Sequence, residues 1–153
     1  MVGARLELLA AIEGVTGAQA GWRPAQGEWS IEETVRHLLP SSAGVILVIE
    51  LWSAGHGPLD DTPYDAPADL TAHEVAPDSP LEFAALRGAL RDDGIAFAAL
   101  PDRLPAEADL ERIFPHLYFG PLPARAWFAF QRVHDRAHFR KIQAIVEDPG
   151  FSS

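Results

Sequence analysis

The amino-acid sequence predicts an all-α protein, a four-helix bundle with a long crossover between the second and third helices. Three observations carry this. Apolar residues recur at three- and four-residue steps in each long apolar segment. Two Ser-x-x-Glu capping boxes, Ser30–Glu33 and Ser79–Glu82, mark helix starts. A stretch from Ala54 to Asp78, dense in Gly, Pro and Asp, has no sustained period and is too long for a tight turn. At 153 residues the chain fits one domain with a full core, spanning 1–153.

The first helix is expected from about Val2 to Gln19, where Leu8, Leu9, Ile12 and Val15 form its apolar stripe, and Gly21, Pro24 and Gly27 break it. Ser30 caps the second, with Glu33 at the third helical position and Trp29 just outside to pack back on the first turn. This helix continues to about Ser53 and contains Pro40, which removes one backbone donor and predicts a kink. The crossover follows, as a bundle with parallel second and third helices requires. Ser79 caps the third helix, with proline at its first position; Phe83, Leu86, Leu90, Phe97 and Leu100 form its stripe, and Pro101 ends it. A second irregular segment, with a short helical turn at 108–113, carries Phe114 to Gly120. The last helix starts near Pro123 and stops at Pro149-Gly150.

Composition narrows the function. The formal net charge is −10 and the pI about 4.9, with no basic cluster beyond an Arg132, Arg136, Arg140 row that reads as a solvated face. This disfavours nucleic-acid binding. No signal-peptide pattern opens the chain and no apolar run approaches the ~20 residues of a membrane span, so a cytoplasmic protein without membrane partners is expected. Cysteine is absent, which removes disulfides, thiolate ligands and a cysteine nucleophile together.

The last helix carries His134-Asp135-Arg136-Ala137-His138. Residues four apart lie one turn above each other, so both imidazoles point the same way. A helical wheel puts Trp127, Phe130, Ala137 and Ile145 on their side and the arginine row opposite. Two such nitrogens can chelate a divalent metal, but a stable site needs a third protein ligand; without one, two hydrogen-bonded core histidines are the plainer reading. Of the six histidines, His56 and His73 fall in the acidic crossover and read as solvated. His37 lies on a helix, on its buried side, with polar neighbours and Gly44, and is the natural third ligand.

Trp29 to Leu38, then Phe119-Gly120-Pro121-Leu122, Trp127 and His134-Asp135-Arg136-Ala137-His138, resemble in order and spacing the DinB-like (DinB/YfiT-like) metalloenzyme family. The resemblance covers nearly the whole chain. It implies an up-down-down-up bundle with one divalent metal held by three histidines, here His37, His134 and His138. It also implies a homodimer, and an activity like those of relatives that use bacillithiol or mycothiol in thiol-dependent transfer or isomerisation. The sequence departs from the family at Lys141, its only lysine, where many relatives have Gln, and at Leu122-Pro123, where a Ser/Thr cap is usual.

Three neutral imidazoles with open positions suit Zn²⁺, Ni²⁺ or Fe²⁺. The function that the resemblance implies is transfer of a low-molecular-weight thiol to an electrophilic small molecule. The alternatives are a metal-dependent hydrolase, or a non-catalytic, stress-linked metal- or small-molecule-binding protein. Asp135 has the register of the glutamate in HExxH but is one methylene shorter; it reads as a surface partner of Arg132 or Arg136 rather than a general base. Glu33, Thr34 and Gln131 are candidates to hold an imidazole by its second nitrogen, or plain cap and interface groups. His116 and Tyr118, on the loop near the site's mouth, are candidate acid/base or orienting groups, against a plainer reading as packed or solvated loop residues. Lys141 is a candidate anchor for an anion or thiolate, or a snorkelling lysine. Trp22, Trp29, Trp52 and Trp127 read as core and staple residues.

Overall fold

Five α-helices and one β-hairpin form residues 2–56, 82–116 and 119–151, which the computed structural model describes. In order they are α1 (Val2–Ala11), α2 (Gly17–Ala20), α3 (Ile31–Ser53), α4 (Phe83–Ala98), a 3-10 turn (Leu100–Arg103), β1 (Ile113–His116), β2 (Gly120–Pro123) and α5 (Ala124–Val146). The protein is mostly helical, but the hairpin corrects the all-α expectation. The first predicted helix also divides in two. Thr16 opens α2 with a capping box of its own, its hydroxyl accepting from the Gln19 N–H and the Gln19 side chain accepting from the Thr16 N–H.

Ser30 caps α3 as predicted: its Oγ accepts from Glu33 N at 3.2 Å, and the Glu33 carboxylate accepts from Ser30 N at 2.8 Å. Pro40 lies within this helix. Glu82, not Ser79, is the N-cap of α4 and makes no side-chain capping bond. Ser79 lies outside the described residues, as does the crossover beyond His56 with His73. Pro101, lacking an N–H, sits in the 3-10 turn that follows α4.

No helical turn forms at 108–113: residues 108–112 are irregular and Ile113 opens the hairpin. Pro115, Pro121 and Pro123 favour extended backbone, and β1 pairs antiparallel with β2 from Ile113 opposite Pro123 to His116 opposite Gly120. Gly120 takes the φ of +69° that the turn requires. Asp109 latches the approach to the hairpin onto the end of α3. It accepts from Trp52 Nε1 at 2.9 Å and Arg112 Nε at 2.8 Å, while Arg112 also donates to the Trp52 carbonyl. The Trp52 N–H and then the guanidinium hold the Asp109 carboxyl below its ordinary range.

α1 and α3 each pack against both α4 and α5. Their apolar faces form two clusters. One joins Leu8, Ile12, Val35, Leu38, Leu86 and Ile142; the other joins Val48, Ile49, Phe97, Phe114 and Phe128. Between them along the helices come the buried polar side chains Arg5, Ser42, Gln131 and Asp135. By length and composition α3 could cross a membrane; here its apolar residues build both clusters.

Candidate metal centre

The Ser30 cap fixes the start of α3 and so sets the position of His37 about two turns in. α5 presents His134 and His138 one turn apart. The three rings converge through one nitrogen each: His37 Nε2 lies 3.0 Å from His134 Nε2, and His138 Nε2 lies 3.2 Å from it. All three ligand atoms fall within 4.8 Å of one another, an arrangement that could hold a metal ion. Tetrahedral zinc with Zn–N of ~2.0–2.1 Å separates its nitrogens by about 3.3 Å. The two close pairs already have nearly that spacing.

Proton counting supports the same reading. A neutral imidazole nitrogen carries either one hydrogen or one in-plane lone pair. His134 Nε2 faces two other Nε2 atoms, so no assignment of protons gives it a good hydrogen bond to both. A cation facing three lone pairs removes the conflict. Burial first, and then the neighbouring imidazoles, pull His134 down to about 4 and His138 to about 3. Both are therefore neutral near pH 7, the form a metal requires.

The indole of Trp29 meets His37 edge-on, centroids 5.0 Å apart, and lies parallel to His138 at 6.2 Å. On the opposite flank Phe130 stacks on His134 at 5.4 Å. A cavity of about 500 Å³ adjoins His138, lined also by Trp29, Thr34, Lys141 and Ile145. Beneath the triad runs a polar network. The Arg5 guanidinium pairs with both Asp135 oxygens, at 3.0 and 2.9 Å; Gln131 Nε2 donates to Asp135 at 2.8 Å; Ser41 Oγ donates to Gln131 Oε1 at 2.8 Å and lies 3.3 Å from His134 Nδ1.

The structure brings His37, His134 and His138 together, and puts Lys141, exposed, on the wall of the cavity beside His138. His116 is buried at the end of β1 among Phe119, Trp127 and Phe130, with the last of these between it and His134. Loss of solvent pulls its pKa down. Tyr118 lies outside the described residues. His56 is exposed, as are Arg132, Arg136 and Arg140.

Two readings need correction. Asp135 is not a surface partner of Arg132 or Arg136; it is 2% exposed and paired with Arg5. The buried stripe of α5 accordingly runs through Phe128, Gln131, Asp135, His138 and Ile142, leaving His134 at its edge and Ala137 exposed. Trp29, expected to pack back on the start of α3, is 37% exposed and lies against two of the histidines, one of them His37 on that helix. Of the groups considered for holding an imidazole, Glu33 caps α3 and pairs with Arg23, and Thr34 donates to the Ser30 carbonyl. Gln131 reaches His134 through Ser41, one of the polar neighbours that share the face of His37, one turn after it. Arg5 gave no signal of its own in the sequence, yet it shares the Leu8–Ile12 stripe.

A family profile of the DinB superfamily matches residues 1–142. The uncharacterized protein YuaE of Bacillus subtilis (strain 168) is 27% identical over 152 residues, covering 94% of this chain and 93% of that one. No solved structure gives a significant match.

Proposed function

The chain belongs to the DinB superfamily, and from that membership and its histidine cluster we propose a metal-dependent enzyme that transfers a low-molecular-weight thiol of the bacillithiol or mycothiol type to an electrophilic small molecule. The observation that carries the metal site is the convergence of three imidazole nitrogens on one point, two of the pairs at 3.0 and 3.2 Å. His37, His134 and His138 would hold one divalent ion, Zn²⁺, Ni²⁺ or Fe²⁺. Once bound, such an ion supplies Lewis acidity and lowers the pKa of a water or thiol on it.

The chain's own residues account for the rest of the site. Trp29 and Phe130 wall the triad on two flanks and limit the approach of water. Lys141 gives the neighbouring cavity a positive charge for an anionic group. A protein without cysteine must receive its sulfur from a co-substrate, which accords with thiol transfer and equally with hydrolysis. The family's up-down-down-up helix order and a cytoplasmic homodimer complete the proposal.

Elemental mass spectrometry on untagged wild type and His134→Ala tests the site: near-stoichiometric metal that disappears in the variant supports it. Consumption of an electrophile such as monochlorobimane, with and without added bacillithiol or mycothiol, tests the reaction. Metal-loaded protein whose turnover ignores both thiols would overturn thiol transfer and favour hydrolysis or binding without turnover.

A further inference from the structure

We infer that Arg5, Asp135, Gln131 and Ser41 form a directional hydrogen-bond relay that locks His134 as the Nδ1–H tautomer, leaving its Nε2 lone pair to face the cluster. The inference rests on the metal reading for its purpose, but on hydrogen-bond direction for its content. These four are positioning residues, none of them a ligand.

The direction is set at the buried end. Arg5 has donors and no acceptor. Its Nε and Nη2 reach the two Asp135 oxygens, and Nη2 also donates to Ser42 Oγ at 2.6 Å. Ser42 Oγ can only accept from Arg5, its own hydrogen serving the Leu38 carbonyl at 3.0 Å or the Asp93 carboxyl. The Asp135 carboxylate is an acceptor, and the Gln131 amide must turn its NH₂ toward it; the opposite flip would set oxygen against oxygen at 2.8 Å. Gln131 Oε1 therefore faces Ser41 and takes the hydroxyl hydrogen. Ser41 Oγ then has only lone pairs left for His134 Nδ1, and a favourable contact at 3.3 Å needs a hydrogen on that nitrogen.

A neutral imidazole carries one N–H, so fixing it at Nδ1 strips it from Nε2. This is the tautomer that a ligand bound through Nε2 must adopt, and the protein holds it before any ion arrives. His138 has no such help, for its Nδ1 is buried without a hydrogen-bond partner. The relay thus selects His134, the ligand whose Nε2 lies closest to both others.

The test reads tautomers in metal-free protein by long-range ¹H–¹⁵N spectra of ¹⁵N-histidine-labelled chain, and Zn²⁺ affinity by competition with a chelating dye. The expected result is Nδ1–H at His134 in the wild type. Gln131→Met frees the Ser41 hydrogen to turn toward Nδ1, so His134 shifts to Nε2–H and Zn²⁺ binding weakens roughly 10–100-fold. Ser41→Ala removes the fixed preference with a similar loss, and Ser41→Thr, which keeps the hydroxyl, restores both. Ser41→Ala decides the matter should Gln131→Met unfold, since it deletes one hydroxyl from a half-buried site. Nε2–H in the wild type, or a tautomer and affinity unchanged in Ser41→Ala, would overturn the relay. The spectra need no metal, so failure of the wild type to bind Zn²⁺ would defeat the metal reading while the tautomer alone judged the relay.

Discussion

Replacing Arg5 with Met is expected to destabilise the chelator-treated protein by ~3–5 kcal/mol, the usual cost of breaking a buried pair and stranding its partner. Both side chains are almost wholly buried, at 4% and 3% exposure. Methionine fills most of the arginine stem's volume but loses two hydrogen bonds to Asp135 and one to Ser42. Asp135 would keep only its bond from Gln131. At ~2–4 °C per kcal/mol for a domain near this size, the melting temperature falls by roughly 6–20 °C. Urea unfolding read by far-UV circular dichroism measures the free energy, and a thermal scan the melting temperature. Arg132→Ala and Arg136→Ala, on the exposed face, should each cost less than about 0.5 kcal/mol. Arg5→Met combined with Asp135→Leu should recover only part of the loss: the stranded Asp135 charge is gone, but the part-buried Asp93 carboxyl, which Arg5 also stabilises, has still lost its cation. A cost below ~1 kcal/mol for Arg5→Met, the range of an exposed ion pair, would refute the buried pair.

Other consequences follow from the same geometry. Zn²⁺ at about a hundred times its Kd should stabilise the wild type by ~2.7 kcal/mol, and His134→Ala should show no such gain in a melting series with and without chelator. Metal-free protein should lose stability on acidification below about pH 6.5. His134 and His138 titrate near 4 and 3 when folded but near 6.5 when unfolded, so the unfolded chain binds more protons in that window. Urea midpoints at about pH 7 and about pH 5 check this, and equal midpoints would contradict neutral buried histidines. Gly88→Ala, with open space around its new methyl, should stabilise α4 by ~0.5–1 kcal/mol. Gly94→Ala should fail to, because its Cβ would sit 3.2 Å from Cγ of the hydrogen-bonded Arg5; equal gains for the two would show that Arg5 is free to move.

The long helices and the clustering of His134 with His138 were legible because their signals are local. Ser30 and Glu33 announce α3 in four letters, the stripe from Phe83 to Leu100 is buried as its spacing predicts, and His134 and His138 share a face by arithmetic. The split of the first helix was equally local, since Thr16-x-x-Gln19 has the capping-box form, but the apolar period running on to Val15 obscured it. The hairpin was less accessible, because it depends on Asp109 meeting Trp52 from far along the chain. Asp135 failed for a related reason. Two arginines within reach on its own helix offered an easy surface pairing, while its actual partner, Arg5, is 130 residues away. A wheel drawn from apolar residues alone leaves a buried aspartate out of the stripe and so misplaces the stripe itself.

That error bears on function, because the ion pair sets the rotation of α5. Neighbouring residues on a helix project about 100° apart. With Asp135 turned inward to meet Arg5, His134 must lie at the edge of the packed face, half-buried, while His138 one turn further on is 7% exposed. Turning α5 to bury His134 fully would drag Asp135 out of the polar layer and strand Arg5. An apolar substitute for the pair would recover part of its stability, but it would no longer hold this rotation by direction and charge. The polar layer between the two apolar clusters therefore does more than join them: by fixing where Asp135 sits, it keeps His134 of the three-histidine cluster at the boundary of the packed face.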